Sequence, residues 1–219
     1  MLTTSRLASR LVPRRPAAAT ALLRHRSTQA ASSSADEPEA TDLFNPTDEH
    51  RALRELAAQF TAAEVEPQAL QYNREERFNM PLYQRAGELG LLGVTVEPDY
   101  GGSGMDATAA CIVHEELSAS DPAFCLSYLA HSQLFVNNLA RNGSHEQKLR
   151  FLPSACDGSA IGGMGMSEPG AGTDVLGMGT KATIQADGTW MLNGGKMWIT
   201  NGACTATGSS NPHPFLALL

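Results

Sequence analysis

The sequence lacks the features that mark several large protein classes. No run of 18 apolar residues occurs in its 219 residues, so no segment is predicted to cross a bilayer as a helix. It has only four cysteines, and their wide spacing argues against a zinc ribbon or a disulfide scaffold. Basic residues are scarce outside residues 1–35, which hold six of the 16 Lys and Arg and leave ten bases against 23 acids. This acidic body makes nucleic acid or an anionic membrane an unsuitable partner, because phosphate binding needs clustered bases.

Residues 1–35 have a composition unlike the rest of the chain. They are rich in Arg, Ala, Ser and Thr and contain no acid, which is typical of an organellar transit peptide rather than a secretory signal. The alternative is a disordered tail without a targeting role. We expect import into the mitochondrial matrix, whose reducing conditions also suit unpaired cysteines. Residues 36–44 are then expected to form a flexible mature N-terminus.

Residues 45–157 carry the periodicity of amphipathic helices and are predicted to form an antiparallel helical domain. Asn45 is predicted to cap the first helix, with Pro46 at its first position and acids in its first turn. Pro67 is predicted to end this helix. Its predicted buried face has i, i+3, i+4 spacing and comprises Leu53, Leu56, Ala57, Phe60 and Ala63.

Four further helices are predicted in the same domain. A short one spans 81–90 and has a glycine at its C-cap, and a second spans 106–118 behind an aspartate N-cap. A long helix is predicted over 121–142. The capping-box spacing Ser-x-x-Gln then opens a short helix at Ser144, which is predicted to finish before Pro153.

The pattern changes at Gly158, where glycines become too frequent for a helix. The chain then alternates in short β-type runs, with Asp187-Gly188 and Asn193-Gly194 between them as hairpin turns. Residues 158–202 are therefore predicted to form an incomplete β-barrel or meander, which makes the fold class α+β. The residues after 202 supply no convincing next strand, and 203–219 are expected to be a coil-rich tail.

Three stretches look like catalytic motifs but miss the required spacing. Gly101–Gly104 is not followed by the G-K-[ST] of a P-loop. His114-Glu115-Glu116 lacks the second histidine of a zinc protease motif, and no metal site is predicted. Ser167 is followed by Pro169 where a nucleophile elbow needs glycine. His131, in the long helix, is predicted to be a structural histidine. Neither a hydrolase nor a metalloenzyme is supported.

The most informative stretch is the glycine loop, residues 165–174, with the sequence Gly-Met-Ser-Glu-Pro-Gly-Ala-Gly-Thr-Asp. Gly170 and Gly172 allow a ligand to approach the backbone closely, and exposed amides can bind phosphate oxygens or a heterocycle edge. A structural turn is the alternative. Trp198-Ile199-Thr200 follows on a predicted β-run. Its indole offers a flat wall for an aromatic ring, and its hydroxyl can donate to a ring nitrogen.

Together, the sequences GMSEPGAGTDVLG (165–177) and KMWITNG (196–202) resemble the acyl-CoA dehydrogenase family. The resemblance extends back through the helical domain to about residue 43, and the motif pair is highly specific. It implies an N-terminal helical domain, a β middle domain and FAD-dependent α,β-dehydrogenation of an acyl-CoA. Members acting on short branched acyl-CoA, such as isovaleryl-CoA from leucine breakdown, are the most similar. In the family a glutamate removes the α-proton while the β-hydride passes to the flavin.

The resemblance also implies roles for individual residues. Met166 and Ser167 are expected to offer amide and hydroxyl groups to the pyrimidine end of the flavin, Trp198 to cover the ring, and Thr200 to lie near N5. Thr173 is expected to contact the thioester substrate and a flavin phosphate. The complete set of expected cofactor-binding residues is Met164, Gly165, Met166, Ser167, Glu168, Pro169, Gly170, Ala171, Gly172, Thr173, Trp198, Ile199 and Thr200.

The resemblance stops near Gly202, so residues 203–219 are expected to be a non-homologous tail, and this has consequences for activity. In the family the later part completes the barrel and adds a helical C-terminal bundle, which carries the catalytic glutamate. No glutamate follows Glu168 here, so the base is expected beyond residue 219, and its loss would remove about 10²–10⁴ in rate. The family transfers electrons to electron-transferring flavoprotein and forms homotetramers. Two alternatives remain: an acyl-CoA dehydrogenase of another chain length, or a truncated, non-catalytic subunit-interaction fragment.

Overall fold

The computed structural model describes residues 42–202 and the backbone of strand 215–218. These residues all belong to one compact unit, 41–219. The predicted transit peptide 1–35, residues 36–41 of the predicted mature N-terminus, and residues 203–214 and 219 of the predicted tail lie outside the described residues.

Helices fill the first part of the described chain, as the periodicity predicts. Two segments with π-helical hydrogen bonding join consecutive α-helices, so that α1 to α2 and α5 to α6 are each continuous. The elements are α1 (Asp48–Phe60), a π segment (Thr61–Val65), α2 (Glu66–Arg74), α3 (Met80–Glu88), a 3₁₀ turn (Pro98–Tyr100), α4 (Ala107–Ser120), α5 (Pro122–Leu129), a π segment (Ala130–Val136), α6 (Asn137–Asn142) and α7 (His145–Cys156).

The first helix differs from its prediction at both ends. Thr47, not Asn45, is the N-cap, and its hydroxyl accepts the His50 amide N–H at 3.2 Å. The Asn45 side chain instead accepts from Arg54 and donates to Asp42. Pro67 does not end the helix, because it falls in the first turn after the π segment, where the regular hydrogen-bond ladder is already interrupted.

The π segment also changes which side chains of this first helix are buried. Ala57 and Phe60 are buried and Leu53 packs against the core, as predicted. Leu56 and Ala63 are exposed, contrary to prediction, and Thr61 and Val65 are buried in their place. The extra residue of the π turn rotates the side chains from Thr61 onward around the helix axis, which accounts for Ala63, Thr61 and Val65. Leu56 precedes the π segment, and its exposure has no such explanation.

The other predicted helix starts are confirmed. Asn79, Asp106, Asp121 and Ser144 cap α3, α4, α5 and α7, and Ser144 forms the predicted reciprocal capping box with Gln147. The prediction that α7 stops before Pro153 is wrong, since the helix continues to Cys156. Its last turn holds buried Ala155 and Cys156, and this packing offsets the hydrogen bond that proline removes.

Two hydrophobic clusters make the core of the helical region. The larger one gathers side chains of α1, α3, α4 and α5 around Tyr83, Leu117 and Tyr128. The smaller one, around Phe135 and Leu152, joins the second π segment to α7. Strand Ile161–Met164 enters between these clusters, and its first residue is itself buried in the larger one. The helical region therefore holds the strand from which the glycine loop emerges.

The β elements form two separate two-stranded sheets within the described residues, not one continuous meander. The strands are β1 (Ile161–Met164), β2 (Lys181–Ile184), β3 (Trp190–Asn193) and β4 (Phe215–Leu218). β2 and β3 form the predicted antiparallel hairpin around Asp187-Gly188, whose glycine has φ of +83°. β1 pairs in parallel with β4, with Ile161 opposite Phe215. The expected helical domain followed by a β region is confirmed.

Two sequence expectations about these strands are wrong. The tail does supply a strand, β4, because a short continuous apolar run suits a parallel strand that needs no alternation. Asn193-Gly194 does not turn into a further hairpin strand, and Met197 to Thr200 are not in a strand. Positive φ values of +59° at Trp198 and +69° at Asn201 are incompatible with extended β structure.

Candidate functional site

The glycine loop leaves β1 and closes on itself at its tip. The backbone N–H of Glu168 donates to Ala171 O at 2.9 Å, and the Ala171 N–H donates back to Glu168 O at 3.1 Å. Pro169 and Gly170 form the exposed tip between these two hydrogen bonds. At both Gly170 and Gly172, the position that a Cβ would take has no neighbouring atom within 4 Å, so both glycines face open space. The loop therefore has a fixed base and an accessible rim.

The base of the loop is held by a buried ion pair that the sequence analysis did not identify. Lys196 Nζ lies 2.8 Å from Glu168 Oε1, and the two side chains are only 10% and 9% exposed. The same carboxylate accepts the backbone N–H groups of Gly179 at 2.6 Å and Thr180 at 3.0 Å. The Lys196 ammonium, together with these amides, lowers the pKa of Glu168 to about 2. Glu168 is therefore an anion occupied in holding the loop.

The segment 196–202 lies directly against the glycine loop. Met197 N–H donates to Ser167 O at 2.9 Å, and Lys196 Nζ donates to Met166 O at 3.2 Å. These two bonds join neighbouring residues of one segment to neighbouring residues of the other. The structure thus brings Ser167 and the residues around Trp198 together, as the contacts expected of both with one flavin ring require.

Trp198 has a side chain that the protein itself does not cover. Its exposed fraction is 84%, and its backbone has φ of +59°, a conformation that costs a non-glycine residue roughly 1–2 kcal/mol. Met166, on the loop beside it, is 38% exposed. Ser167 is half-buried, and its backbone N–H makes no hydrogen bond within the part of the chain that the structure describes. A flat apolar surface and an available N–H donor therefore belong to two segments that the Met197–Ser167 hydrogen bond joins.

The remaining expected site residues fall into different surroundings. Met164 is half-buried in β1, while Gly165 and Ala171 are buried. Gly172 and Thr173 are exposed on the rim, and no hydrogen bond within residues 42–202 joins Thr173 to segment 196–202. Thr200 is half-buried in a turn. Ile199 lies elsewhere, in a cleft of about 460 Å³ with Tyr72, Phe78 and Phe124, which neither Ser167 nor Trp198 lines.

Asn201 anchors the segment to the helical region and was also missed. Its side-chain amide donates to Ser127 O at 3.0 Å and Gly162 O at 3.1 Å, so that it ties the turn to both α5 and β1. Its positive φ is one that asparagine tolerates better than most residues. The Asn201-Gly202 pair was the available signal for a turn at this position.

His131 also bonds to Gly162 of β1 and is structural, as predicted. Its Nδ1 accepts the Gly162 N–H at 2.8 Å, and its Nε2 donates to Ala155 O at 3.0 Å. An amide N–H can only donate and a carbonyl can only accept, so the partners select the neutral ring with its proton on Nε2. Burial lowers the pKa of His131 to about 4.

No cluster of three or more His, Cys, Asp or Glu side chains in the described part of the chain is arranged to hold a metal ion. Among the helices described, none combines the length and apolar character needed to cross a membrane.

Comparison with known proteins connects both regions to one family. The family model for the N-terminal domain of acyl-CoA dehydrogenase matches residues 47–159, and the model for its middle domain matches 163–208. The mitochondrial isovaleryl-CoA dehydrogenase of Solanum tuberosum is 41% identical over 167 residues, which cover 75% of this chain and 40% of that protein. The chain thus spans about two fifths of the length of the curated relatives it matches.

Solved structures give the same connection. The acyl-CoA dehydrogenase of Bacillus anthracis, complexed with FAD, is 35% identical with a TM-score of 0.67, over 72% of this chain and 27% of that one. A chain in the electron transferring flavoprotein structure of Acidaminococcus fermentans is 31% identical with a TM-score of 0.69, over 73% of this chain and 42% of that one.

Proposed function

The chain belongs to the acyl-CoA dehydrogenase family, whose members are oxidoreductases, and from this membership we propose that its described residues form the flavin-binding part of an FAD-dependent acyl-CoA dehydrogenase. The observation that carries the proposal is the hydrogen bond from Met197 N–H to Ser167 O at 2.9 Å. This bond joins the glycine loop to Met197, the residue that precedes Trp198 in the chain. Both halves of the family's motif pair therefore belong to one surface.

The groups on this surface fit a flavin. Its ring is flat and aromatic, with acceptor atoms along one edge, so that it needs an apolar wall and N–H or O–H donors. Trp198 provides an indole that is 84% exposed, and Ser167 provides its hydroxyl together with an N–H that has no acceptor among the described residues. The open rim at Gly170 and Gly172 leaves room for the rest of the cofactor.

We assign the roles within this surface by motif position. Met166 and Ser167 would bind and orient the pyrimidine end, Trp198 would cover the ring, and Thr200 would lie near N5. Thr173 would contact the thioester substrate and a flavin phosphate. When bound, FAD is the hydride acceptor, and the protein supplies placement and polarity.

Glu168 is unsuited to be the base that removes the α-proton. A carboxylate with a pKa of about 2 is a weak base, and Lys196 and two backbone amides already occupy its oxygens. The engagement of Glu168 favours a second candidate function for these 219 residues, a non-catalytic one in which they bind cofactor or partner subunits without turnover.

The finer assignment concerns substrate, partners and compartment. We infer that the whole protein oxidises a short branched acyl-CoA such as isovaleryl-CoA, in leucine breakdown. A relative named isovaleryl-CoA dehydrogenase at 41% identity supports this substrate, and its mitochondrial designation supports a matrix location. Electron-transferring flavoprotein is the proposed electron acceptor, and a homotetramer is the proposed assembly.

A pair of tryptophan variants tests the cofactor assignment. Titration of FAD into the 219-residue chain, followed by flavin fluorescence, is expected to detect binding that Trp198→Ala weakens about tenfold, from lost ring contact worth roughly 1.4 kcal/mol. Trp190→Ala is the matched control, because this indole is 64% exposed but lies on the β2–β3 hairpin. Equal effects of both substitutions, or none from Trp198→Ala, would contradict the assignment.

A turnover assay tests the non-catalytic candidate function. The 219-residue chain loaded with FAD is expected to reduce an artificial electron acceptor no faster than free FAD when isovaleryl-CoA is supplied, because Glu168, held by Lys196, is unsuited to remove the α-proton. Turnover above this background, abolished by Trp198→Ala, would establish catalysis by this chain and refute the non-catalytic alternative.

A further inference from the structure

The ammonium group of Lys196 uses all of its hydrogen-bonding capacity inside the site. It has three N–H donors and three acceptors: Glu168 Oε1 at 2.8 Å, Met166 O at 3.2 Å and Met178 Sδ at 3.1 Å. Among the ion pairs in the described part of the chain, this is the one in which both side chains are about nine-tenths buried. A charge held this completely has a defined position, unlike a surface lysine.

One of these bonds determines the direction of a peptide group. The peptide joining Met166 to Ser167 is planar, so its C=O and N–H point to opposite sides. Lys196 holds the Met166 carbonyl on one side, and this fixes the Ser167 N–H on the other. The Ser167 carbonyl is held in turn by Met197 N–H. Consecutive residues of segment 196–202 therefore restrain consecutive peptides of the glycine loop.

We propose that Lys196 is a positioning residue whose bond to the Met166 carbonyl aims the Ser167 N–H at the cofactor. The inference rests on the proposed flavin site and assigns a role to a residue outside the set expected to contact the cofactor. Lys196 acts through the peptide and does not itself touch the ring. Its other two donors bond to Glu168 and Met178, and these bonds hold the ammonium group in place beside the Met166 carbonyl.

A simpler role would be to neutralise Glu168. The two roles differ when both charges are removed together. In Lys196→Met, the buried carboxylate loses its counter-ion, so that both stability and loop geometry suffer. In Lys196→Met/Glu168→Gln, the unpaired charge is gone and the glutamine oxygen can still accept the Gly179 or Thr180 N–H. Stability is then restored, but the Met166 carbonyl still lacks its donor.

The experiment compares four forms of the 219-residue chain: wild type, Lys196→Met, the double variant, and Lys181→Met as control. Lys181 is an exposed lysine of β2 with no ion pair among the described residues. Each form is measured for Tm, for the Kd of FAD, and for the hydrogen-exchange rate of the Met197 amide. We expect the double variant to regain most of the Tm lost in Lys196→Met while its Kd stays about tenfold weaker than wild type, the cost of one misdirected hydrogen bond.

The hydrogen-exchange rate of the Met197 amide tests the restraint of the glycine loop in the absence of the cofactor. The Met197 amide is expected to exchange several-fold faster in both Lys196 variants and at the wild-type rate in Lys181→Met, because the loop that accepts its hydrogen bond is released. Recovery of FAD affinity together with Tm in the double variant would overturn the positioning role. Failure of the wild type to bind FAD would refute the proposed function instead, and unchanged Met197 exchange in the Lys196 variants would refute the restraint of the loop by Lys196.

Discussion

The helical region, 48–156, and the β region, 161–202, maintain their conformations by different means. The helical region has its own apolar core, in which Leu91, Leu92 and Leu117 are fully buried. On the β2–β3 hairpin, by contrast, Ile184 and Leu192 are more than half exposed, and every strand residue is exposed. The candidate site is built in the region that has the weaker apolar packing.

Polar contacts compensate for this difference. The Lys196–Glu168 ion pair joins the glycine loop to segment 196–202, and Asn201 and His131 connect that segment and β1 to the helices. The site therefore takes its rigidity from the helical region through a few directed bonds. Substitutions in the two regions are expected to differ in both size and kind.

The largest expected effect comes from removing apolar volume in the helical core. Leu117→Ala is expected to lower the free energy of unfolding by about 2–5 kcal/mol, through lost transfer energy and the cavity that remains. Leu192→Ala, the same change at a side chain 57% exposed on β3, is expected to cost less than about 1 kcal/mol. Urea unfolding followed by circular dichroism measures both. Similar costs would mean that the two regions do not differ in packing.

The next effect is a pH dependence of the free energy of unfolding, caused by His131 at the junction of the two regions. The pKa of His131 is about 4 in the folded chain, against an ordinary value of 6.5. Between these values the unfolded chain binds more protons, so the stability contributed by neutral His131 is complete above pH 6.5 and is lost as pH falls toward 4. The expected loss is about 3 kcal/mol.

Urea unfolding at pH 7 and pH 4.5 measures this contribution. His131→Gln is expected to be less stable than wild type at pH 7 but to lose less on acidification. His145→Gln, at an exposed histidine of α7, is expected to retain the full wild-type dependence. An unchanged dependence in His131→Gln would mean that other groups cause the acid destabilisation.

A third substitution tests how closely β1 packs on the helices. A Cβ added at Gly162 would overlap the Phe135 ring, so Gly162→Ala is expected to cost about 1–3 kcal/mol. Gly170→Ala, at the open tip of the glycine loop, is expected to stay within about 0.5 kcal/mol of wild type. Thermal unfolding measures both variants. A neutral Gly162→Ala would show that β1 can move away from the helices.

The features predicted correctly from sequence depend on short-range signals. The caps Asp106 and Ser144 each bond to an amide three residues away, so the sequence alone specifies them. The two motifs of the candidate site were likewise recognised from contiguous residues. Asp187-Gly188 marked its hairpin for the same reason.

The features that were missed depend on residues distant in the chain. The β1–β4 pairing joins Ile161 to Phe215, and no local pattern distinguishes it from a meander. The Lys196–Glu168 pair spans 28 residues, and each member alone reads as a surface charge. The π segment that joins α1 to α2, and so lets the helix continue past Pro67, also has no periodicity of its own.

The smallest expected effect on stability concerns the residue most exposed in the candidate site. Trp198→Phe removes an indole that is 84% exposed and keeps an aromatic ring, so the free energy of unfolding is expected to change by less than about 0.5 kcal/mol. FAD affinity is expected to fall several-fold, since phenylalanine covers less of a flavin ring. Urea unfolding and FAD titration on the same preparation separate the two quantities. A large loss of stability with unchanged affinity would make Trp198 part of the fold, and the division between a packed helical region and a ligand-binding β region would no longer hold.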